Sequence, residues 1–493
     1  MEALSGGLKA IGLSCSYDGK PVFRNLNFSV RPGEAVVVIG PSGSGKTTLA
    51  YCLTGIIPNR VKAEVEGRVV ADGADVLSSS LRENVKRVGI ILQNYEVQIF
   101  GLTVEEDLAF GLENLGLGEE EVERRIEWAL DNFGLREYRS RHVHELSGGL
   151  RQRLAIASAI VTAPRYLVMD DPMMNLDWRG VIKLREIIRR LKSEGRGLVI
   201  TARRLKGLEP VADKIVWLDG NGRRALAAFR PMELEDLERK SLNDSKIAVS
   251  FENVWFRYSK ARDYVLRDIT LSLESGRCIA LMGPNGSGKT TLAKLVNGLH
   301  KPSKGRVRVL GMDTGRFTAA QLARYVAFVF QDPDKHLVGD TVWDEVTFGP
   351  RNLGLGFDHA ERALEVMGLG DRRDDPPQSL SMGEKIRLSI ASALATNPEI
   401  LILDEPTTGQ DEETLEAIAG VVSRLKTLGK TVLMITHDSD YALKVSDRVV
   451  VIEGGAIAAD GDPEEILLNE DLVRDLGLEP PTALMRRAVE VRA

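Results

Sequence analysis

The sequence contains two copies of a glycine-rich stretch whose composition suits the binding of phosphate groups. GPSGSGKTT spans residues 40–48, and GPNGSGKTT spans residues 283–291. The glycines let the backbone turn until its N–H groups point at phosphate oxygens, and the lysine reaches the terminal phosphates. Each copy follows an apolar run and precedes a helical pattern, so a chance match in both is negligible. We therefore predict two sites for nucleoside phosphates, one in each half of the chain.

These two stretches, the phosphate loops, differ at a single position. Their residues are Gly40, Pro41, Ser42, Gly43, Ser44, Gly45, Lys46, Thr47 and Thr48 in the first half, and Gly283, Pro284, Asn285, Gly286, Ser287, Gly288, Lys289, Thr290 and Thr291 in the second. The hydroxyl of the threonine that follows each lysine, Thr47 or Thr290, is predicted to hold Mg²⁺.

A pair of acidic residues ends a second apolar run in each half. The pair is Asp170 and Asp171 in RYLVMDD, and Asp404 and Glu405 in EILILDE. The first acid could hold Mg²⁺ directly or through water, and the second could orient or deprotonate an attacking water. Asp171 is one methylene shorter than Glu405, and a misplacement of about 1 Å can cost on the order of 100-fold in rate. We expect the first half to bind nucleotide but to hydrolyse it poorly, although Asp171 as a working substitute remains an open alternative.

The elements that must position these residues can be identified from hydrophobic patterns. Three short apolar runs lie in each half: EAVVVIG, RYLVMD and GLVIT in the first, and RCIALMG, EILILD and TVLMIT in the second. Continuous runs of this length between helical segments predict buried, mostly parallel strands. The alternating runs FRNLNFSV and LRDITLSLES predict antiparallel strands. The predicted fold is therefore two α/β domains, each with a mostly parallel sheet and a small antiparallel layer.

The composition narrows the classes of function. The chain has 493 residues and a net charge of −6, so its overall field does not favour nucleic acid. Its three cysteines form no CxxC pair, which argues against zinc and iron–sulfur sites. We find no apolar run near the length of a membrane span and no signal-peptide layout at the N-terminus.

The halves repeat one another, which indicates a duplicated domain. We predict a first domain at residues 1–229, a linker at 230–246, a second domain at 247–461 and a tail at 462–493. The linker is assigned from its proline and its many charges, which suit a surface segment. The tail is predicted to form one or two short helices that are broken at Pro480–Pro481.

The order of motifs resembles that of ABC-type ATPases, twice over. After each phosphate loop come a glutamine (Gln93, Gln331) and a stretch we call the signature, which reads LSGG at 146–149 and LSMG at 380–383. The acid pair follows, with the same separation from the signature serine in both halves, and then an aspartate (Asp177, Asp411). The last motif in each half lies at the end of a predicted strand, and it reads ITAR at 200–203 in the first half and ITHD at 435–438 in the second.

The resemblance implies two P-loop NTPase domains, each with a helical signature subdomain, that pair with ATP between them. Each ATP would lie between the phosphate loop of one domain and the signature of the other, in one chain or across a dimer. The resemblance also assigns roles: Gln93 and Gln331 would sense Mg²⁺ and the membrane partner, and His437 would stabilise the γ-phosphate. It further implies that ATP contacts the aromatic residues Tyr17 and Tyr258 and the signature residues Ser147, Gly148, Gly149, Ser381 and Gly383.

Departures from the family pattern cluster in one of the two implied composite sites. Asp171, Ala202 and Met382 stand where the resemblance leads us to expect glutamate, histidine and glycine, and all three fall in the site of the first phosphate loop. The other site, with Glu405 and His437, departs only at Leu150 in the signature. Random drift would scatter such changes, so we predict one hydrolytic site and one that mainly holds nucleotide.

The segments after the two glutamines, residues 93–117 and 331–355, resemble those of energy-coupling-factor (ECF) importers. The match is strongest in the shared TV-D-FG-NLGL pattern, with departures at Tyr95, His336 and Val338. In such importers this segment meets a transmembrane coupling subunit, which carries a substrate-binding membrane protein. The resemblance thus implies an ATPase that uses ATP and Mg²⁺, lies on the cytoplasmic face of the cell membrane and drives import of a vitamin, metal ion or similar micronutrient. It also implies that the tail helps the ATPases associate.

Two alternatives remain open at this point. A tandem ATPase of a sugar-type importer has about this length, but it usually weakens its second half and lacks the ECF-like segments. A non-transport ABC ATPase that acts on the ribosome or on nucleic acid would need a long charged helical linker and a basic surface, or cysteine clusters. The predicted linker is short and acidic.

Overall fold

The computed structural model describes residues 6–41, 43–146, 148–174, 176–218, 247–259, 263–410 and 412–485. The chain divides into two compact units, Met1–Leu176 with Gly180–Leu226, and Asp177–Arg179 with Ala227–Ala493. The predicted linker at 230–246 lies outside the described residues, as do Ser42, Ser147 and Asp411. Within the described ranges, no helix has both the length and the apolar character needed to cross a membrane.

The described residues of the first half form two sheets. Its strands are β1 (Leu8–Tyr17), β2 (Lys20–Val30), β3 (Ala35–Ile39), β4 (Glu64–Ala71), β5 (Ala74–Asp75), β6 (Val88–Ile91), β7 (Tyr166–Asp170), β8 (Gly197–Ala202) and β9 (Lys214–Trp217). An antiparallel sheet has the order β2-β1-β4-β5, and a parallel sheet has the order β6-β7-β8-β3-β9. β3, β7 and β8 are buried along their whole length, as expected for parallel strands covered on both faces.

Helices of the first half surround this parallel sheet and add a helical layer. They are α1 (Lys46–Thr54), α2 (Ile56–Asn59), α3 (Leu81–Asn84), α4 (Val104–Asn114), α5 (Glu119–Phe133), α6 (Gly148–Val161) and α7 (Trp178–Ser193). Leu108 of α4, Leu130 of α5 and Leu154 of α6 are fully buried in one apolar cluster. α4 begins with a capping box in which Thr103 and Glu106 bond each other's backbone N–H groups, which satisfies the open helix start.

The second half repeats this plan with a larger parallel sheet. Its strands are β10 (Ile247–Phe256), β11 (Leu266–Glu274), β12 (Cys278–Met282), β13 (Lys304–Val309), β14 (Met312–Asp313), β15 (Val326–Val329), β16 (Ile400–Asp404), β17 (Thr431–Ile435), β18 (Arg448–Glu453) and β19 (Ala456–Gly461). The antiparallel sheet has the order β11-β10-β13-β14. The other sheet has the order β15-β16-β17-β12-β18-β19 and is parallel except for its edge strand β19.

The helices of the second half are α8 (Lys289–Val296), α9 (Ala319–Leu322), α10 (Val342–Leu353), α11 (Asp358–Val366), α12 (Met382–Leu394), α13 (Glu412–Thr427), α14 (Ser439–Val445), α15 (Pro463–Leu467) and α16 (Glu470–Asp475). α10, α11 and α12 form the counterpart of the helical layer in the first half. The predicted class, two α/β domains with antiparallel layers and helical subdomains, is confirmed.

The described part of the tail contains the short helices α15 and α16, both before Pro480. Leu467, Val473 and Leu476 are buried in an apolar cluster of the second unit, and the backbone N–H of Thr482 donates to Asp440 at 2.8 Å. The described part of the tail is therefore packed onto its own unit, and its implied role in association stays a prediction.

The topology brings the site residues of each half to one edge of its parallel sheet. β8 lies between β7 and β3, with Thr201 opposite Asp170 and Ala202 opposite Ile39. The residues that follow these strands therefore leave the sheet side by side at its carboxyl edge, which is where open parallel sheets bind ligands. β17 lies in the same way between β16 and β12 in the second half.

Candidate functional site

The first phosphate loop connects β3 to α1 and turns on glycines that a side chain would obstruct. Gly43 and Gly45 have φ values of 76° and 94°, and a Cβ on Gly45 would lie 2.4 Å from Val22. The Lys46 Nζ donates to the carbonyl oxygens of Gly40 and Pro41 at 2.7 and 2.6 Å. Burial lowers the pKa of Lys46 to about 8, although the charge of Asp171 opposes the shift. A buried ammonium held over a curled loop is well placed to receive phosphate oxygens.

The second phosphate loop has the same construction between β12 and α8. Lys289 Nζ donates to the carbonyl oxygens of Gly283 and Pro284 at 2.8 and 2.9 Å, and burial lowers the pKa of this lysine. The hydroxyl of Ser287 is buried and makes no hydrogen bond within the described part of the chain. A phosphate oxygen would supply the partner that this hydroxyl lacks. Each half thus presents a lysine, glycines and a helix start suited to a nucleoside phosphate.

The predicted Mg²⁺ ligands contact one another in both halves. Thr47 Oγ1 donates to Asp170 Oδ2 at 2.7 Å, and Thr290 Oγ1 donates to Asp404 Oδ1 at 3.2 Å. Burial, followed by the charge of Glu405, raises the pKa of Asp404 to about 6. A bound cation would relieve this burial of like charges, and hydroxyl and carboxylate oxygens are the donors that Mg²⁺ prefers.

The residues present therefore fit Mg²⁺ that is held jointly with a nucleotide. The described residues contain no cluster of three or more histidine, cysteine or acidic side chains able to hold a metal alone. Mg²⁺ commonly completes its shell with substrate phosphates and water rather than with protein groups. Thr47 with Asp170, and Thr290 with Asp404, would then supply the protein oxygens.

The two predicted glutamines follow β6 and β15. Gln93 Nε2 lies 2.9 Å from Sδ of Met174, in the loop after the first acid pair. Gln331 is largely exposed and lies two residues beyond the end of β15. Their predicted contacts with Mg²⁺ remain predictions.

In the second half the catalytic acid lies beside the histidine that follows β17. Glu405 adopts a left-handed backbone with φ of 52°, and its N–H donates to the Ile435 carbonyl at 2.9 Å. Its Oε1 is buried and lies 3.0 Å from His437 Nε2, whose own hydrogen-bond partner is Asn285 Oδ1 at 2.9 Å. Since Nε2 carries one hydrogen at most and bonds Asn285, Oε1 of Glu405 keeps capacity to accept a hydrogen bond from water.

In the first half the equivalent acid meets an arginine. Asp171 repeats the left-handed turn, with φ of 47°, and its N–H donates to the Thr201 carbonyl and hydroxyl. Its Oδ2 lies 3.0 Å from Nε of Arg203, the residue after Ala202. Burial raises the pKa of Asp171, and the charge of Arg203 opposes that shift. Sequence reasoning considered only Ala202 at this position and missed Arg203, although the doubled arginine of ITARR was a visible signal.

The aromatic residues assigned to adenine differ in exposure. Tyr258 is 44% exposed, its hydroxyl lies 3.1 Å from Thr291 Oγ1, and its ring makes an edge contact with Phe256. Tyr17 is the last residue of β1, and its partly buried side chain packs against an apolar cluster of the first half that includes Leu13 and Phe23. Tyr258 therefore has a ring face that a base could cover, next to the helix that follows its phosphate loop.

The signatures begin α6 and α12. Ser381 and Glu384 form a capping box at the start of α12, and Met382 is 43% exposed in its first turn. A Cβ on Gly383 would approach Thr414 to 3.1 Å. Gly148 and Gly149 open α6.

Apolar side chains lie exposed on the segments 93–117 and 331–355, which we call the coupling segments. Phe100 and Leu102 are 68% and 70% exposed, and the Phe100 ring stacks on Phe110 at 5.3 Å. Val338 and Phe348 are 65% and 54% exposed in the second unit. Isolated exposed apolar residues are common, but stacked and grouped ones mark interaction surfaces.

The sequence model of the ABC transporter family matches residues 23–174 and 266–408, which covers both halves. The chain belongs to the ABC transporter family of ATPases. Its domains bind ATP, and the predicted ATPase activity is confirmed at the level of the family. Both matched ranges contain the phosphate loop, glutamine, signature and acid pair described above.

Two relatives match this ABC ATPase over nearly the whole length of both chains. A "Putative ABC transporter ATP-binding protein" of Methanosarcina mazei is 31% identical over 98% of this chain and 93% of its own. The "Putative HMP/thiamine import ATP-binding protein YkoD" of Bacillus subtilis is 30% identical over 95% of this chain and 94% of its own. The archaeal ribosome recycling factor aABCE1, in a crystal structure with ribosomal stalk protein aP1, is 21% identical with a TM-score of 0.63 over 98% of both chains, and this likeness concerns the fold alone.

Proposed function

We propose that this ABC ATPase energises an ECF-type importer through separate transmembrane subunits. The observation that carries the proposal is the exposed apolar surface on both coupling segments, which are the segments that resemble those of ECF importers. More than half of the surface of each of Phe100, Leu102 and Val338 is exposed to solvent. A helix of a transmembrane coupling subunit would bury such side chains.

The backbone under these side chains is held firmly, which suits force transmission. Asp107 Oδ1 accepts hydrogen bonds from the N–H groups of Phe100 and Gly101, at 2.8 and 3.1 Å. Glu345 Oε2 does the same for Val338 and Gly339, at 2.8 Å each. The same device occurs in both halves although the acid differs, so both coupling segments would dock in similar ways.

The proposed mechanism assigns hydrolysis to the site of the second phosphate loop. Lys289 would bind the terminal phosphates, while Thr290 and Asp404 would hold Mg²⁺, which supplies charge neutralisation at the phosphates when bound. Glu405 would orient the attacking water, since its Oε1 is buried without a hydrogen bond to protein. His437 would stabilise charge on the γ-phosphate by turning its Nε2 hydrogen from Asn285 to a phosphate oxygen. The signature that completes this site would come from the first half, in the same chain or in a second copy.

The site of the first phosphate loop would mainly hold nucleotide. Its acid is the shorter Asp171, which Arg203 engages at 3.0 Å, and it lacks a histidine at Ala202. Met382 would stand in its signature, where its side chain would hinder close approach of backbone to phosphate. ATP binding would close the paired domains, and hydrolysis at the other site would reopen them.

The membrane location and the substrate class follow from this partnership. The chain would lie against the cytoplasmic face of the cell membrane by docking to a coupling subunit, which would carry a substrate-binding membrane subunit. The substrate would be a vitamin, metal ion or similar micronutrient, and the thiamine-related name of the Bacillus subtilis relative fits a vitamin. No nucleic acid partner is expected.

Docking can be tested with charge substitutions on the coupling segments. Phe100→Asp and Val338→Asp should each reduce co-purification with co-expressed coupling subunits, because a charge must then be buried in the interface. Ile182→Asp is the matched control, since Ile182 is an exposed apolar residue on α7 and belongs to neither segment. Unchanged co-purification of both segment variants would contradict the proposal.

A second experiment tests whether only the site of the second phosphate loop hydrolyses ATP. ATPase turnover of the complex with its membrane subunits should be abolished by Glu405→Gln and little changed by Asp171→Asn. Equal losses from both substitutions would mean that Asp171 is a working catalytic acid, and the asymmetric mechanism would then be wrong.

A further inference from the structure

Arg203 lies between the phosphate loop and the acid pair of the first half. It follows β8, whose last residue Ala202 pairs with Ile39, the residue before the phosphate loop. On its other side β8 pairs with β7, where Thr201 lies opposite Asp170. Side chains leaving the sheet at this point can reach both neighbouring strand ends, so Arg203 has the position of a ligand for nucleotide phosphates.

The guanidinium of Arg203 is anchored at one nitrogen and unpaired at another. Nε lies 3.0 Å from Asp171 Oδ2, and the arginine side chain is only 19% exposed. Nη1 is buried and has no hydrogen-bond partner within the described residues. A guanidinium presents its N–H donors as a rigid fork, so fixing Nε on Asp171 fixes the direction of Nη1 as well. A buried cationic donor without an acceptor is a feature that a bound anion would satisfy.

The second half places a different group in the corresponding position. There His437 Nε2 lies 3.0 Å from Glu405 Oε1, and the chain continues with Asp438 where the first half has Arg203. Histidine can be neutral at physiological pH, whereas arginine keeps its charge. The first half therefore combines a shorter acid with a permanent cation, and the second combines a longer acid with an imidazole.

We propose that Arg203 binds the terminal phosphate of a nucleoside triphosphate at the first phosphate loop and makes that site a retention site. One arm of the guanidinium stays on Asp171, and the Nη1 arm donates to a γ-phosphate oxygen. With Oδ2 engaged by Nε of Arg203 at 3.0 Å and a side chain one methylene shorter than that of Glu405, Asp171 is poorly placed to orient an attacking water, so the bound triphosphate is held and not cleaved. This assignment rests on the proposed function, in which the first site mainly holds nucleotide, and it names the residue responsible.

A contact with the γ-phosphate alone predicts a specific pattern of affinities. ADP lacks the phosphate that Nη1 would meet, so removal of the guanidinium should weaken binding of a triphosphate and leave ADP binding nearly unchanged. Hydrogen bonds to charged groups correspond to roughly a 10- to 100-fold change in affinity. A purely structural role for Arg203 would instead lower both affinities together.

The experiment uses the full chain with Lys289→Ala, which weakens nucleotide binding at the second phosphate loop. The β,γ-imido analogue of ATP and ADP, each with Mg²⁺, are titrated by calorimetry into this protein with and without Arg203→Gln. We expect the affinity for the analogue to fall about 10- to 100-fold and that for ADP to change less than about threefold. Arg203→Lys, which keeps the charge but not the fork, should recover part of the loss. Arg204→Gln is the matched control for loss of one positive charge from an exposed neighbour.

Several outcomes would overturn the assignment. Equal loss of both nucleotides, no loss of either, or the same loss in Arg204→Gln would each show that Arg203 does not contact the γ-phosphate. If Arg203→Gln fails to fold, Arg203→Lys decides, since the assignment requires a selective loss of the analogue there too. Failure of the underlying mechanism is seen separately, as equal turnover losses in Glu405→Gln and Asp171→Asn. If Arg203→Gln leaves the preference for the analogue over ADP unchanged, and turnover is lost in Glu405→Gln but not in Asp171→Asn, only the assignment of Arg203 is refuted.

Discussion

The carboxylate of Asp107 is predicted to control the stability of the first coupling segment. Asp107 is 4% exposed, and its Oδ1 accepts hydrogen bonds from the Phe100 and Gly101 backbone, while Oδ2 accepts one from Ser158 Oγ at 2.6 Å. Gly101 lies so close that a Cβ there would be 2.2 Å from the Asp107 nitrogen. The segment is therefore fixed against the start of α4 by one buried charge.

The magnitude follows from the difference between charged and neutral acceptors. Hydrogen bonds to charged groups contribute about 1.5–3 kcal/mol, and neutral ones about 0.5–1.5 kcal/mol. Asp107→Asn converts the two charge-assisted bonds that hold the segment into neutral ones at best, a loss of about 1 kcal/mol each. The total of about 2 kcal/mol corresponds to a local opening of the segment that is about 30-fold more frequent.

Hydrogen exchange of the full chain measures this opening directly. The Phe100 and Gly101 amides should exchange about 30-fold faster in Asp107→Asn, and co-purification with the coupling subunit should weaken. Glu113→Gln, an exposed acid on the same helix, is the control and should change neither. Exchange at Phe100 and Gly101 that stays within a few-fold of the unsubstituted chain would refute the reasoning, because the carboxylate would then not hold the segment.

Three further predictions follow from the same structure. Glu345→Gln should speed exchange of the amides it accepts in the second coupling segment, whereas equal exchange in both proteins would contradict that role. Phosphate binds the ammonium form of Lys46 and so raises its pKa; with Lys289→Ala present, ATP affinity should be full below pH about 8 and fall as the pH rises through the free-protein value of about 8. A flat profile from neutral to alkaline pH would show that Lys46 stays protonated throughout. Ser381→Ala should cost about 1 kcal/mol through loss of the α12 capping box, seen as a lower midpoint of thermal unfolding, and an unchanged midpoint would contradict it.

Sequence reasoning predicted the strands that carry the chemistry because their burial is recorded as unbroken apolar runs. TVLMIT became β17, and RYLVMD became β7, each buried throughout. The short strands β6 and β15, at the sheet edges, were not singled out because four residues give too little pattern. The positions of the phosphate loops could be identified without the structure, because the spacing of their glycines and lysine defines them.

No pattern in the sequence predicts the contact between Asp171 and Arg203. It depends on the left-handed turn at Asp171, with φ of 47°, and on β8 lying directly beside β7. Neither is encoded in a local motif, because non-glycine residues rarely adopt this turn and strand order is a tertiary property. Reasoning from the motif alone compared Ala202 with His437 and stopped one residue too early.

The paired acids show how a duplicated site can change its task while its backbone is preserved. Asp171 and Glu405 share the left-handed turn and a backbone hydrogen bond to the neighbouring strand, so the scaffold alone cannot separate their roles. What differs is the group 3.0 Å from each carboxylate, a guanidinium in one half and an imidazole in the other. The guanidinium of Arg203 engages one oxygen of Asp171, whereas an imidazole that directs its Nε2 hydrogen at Asn285 leaves the carboxylate of Glu405 free to accept from water. Restoring glutamate and histidine at 171 and 202 would therefore be insufficient for hydrolysis while Arg203 remained, and a variant with all three positions converted to those of the second half would be needed.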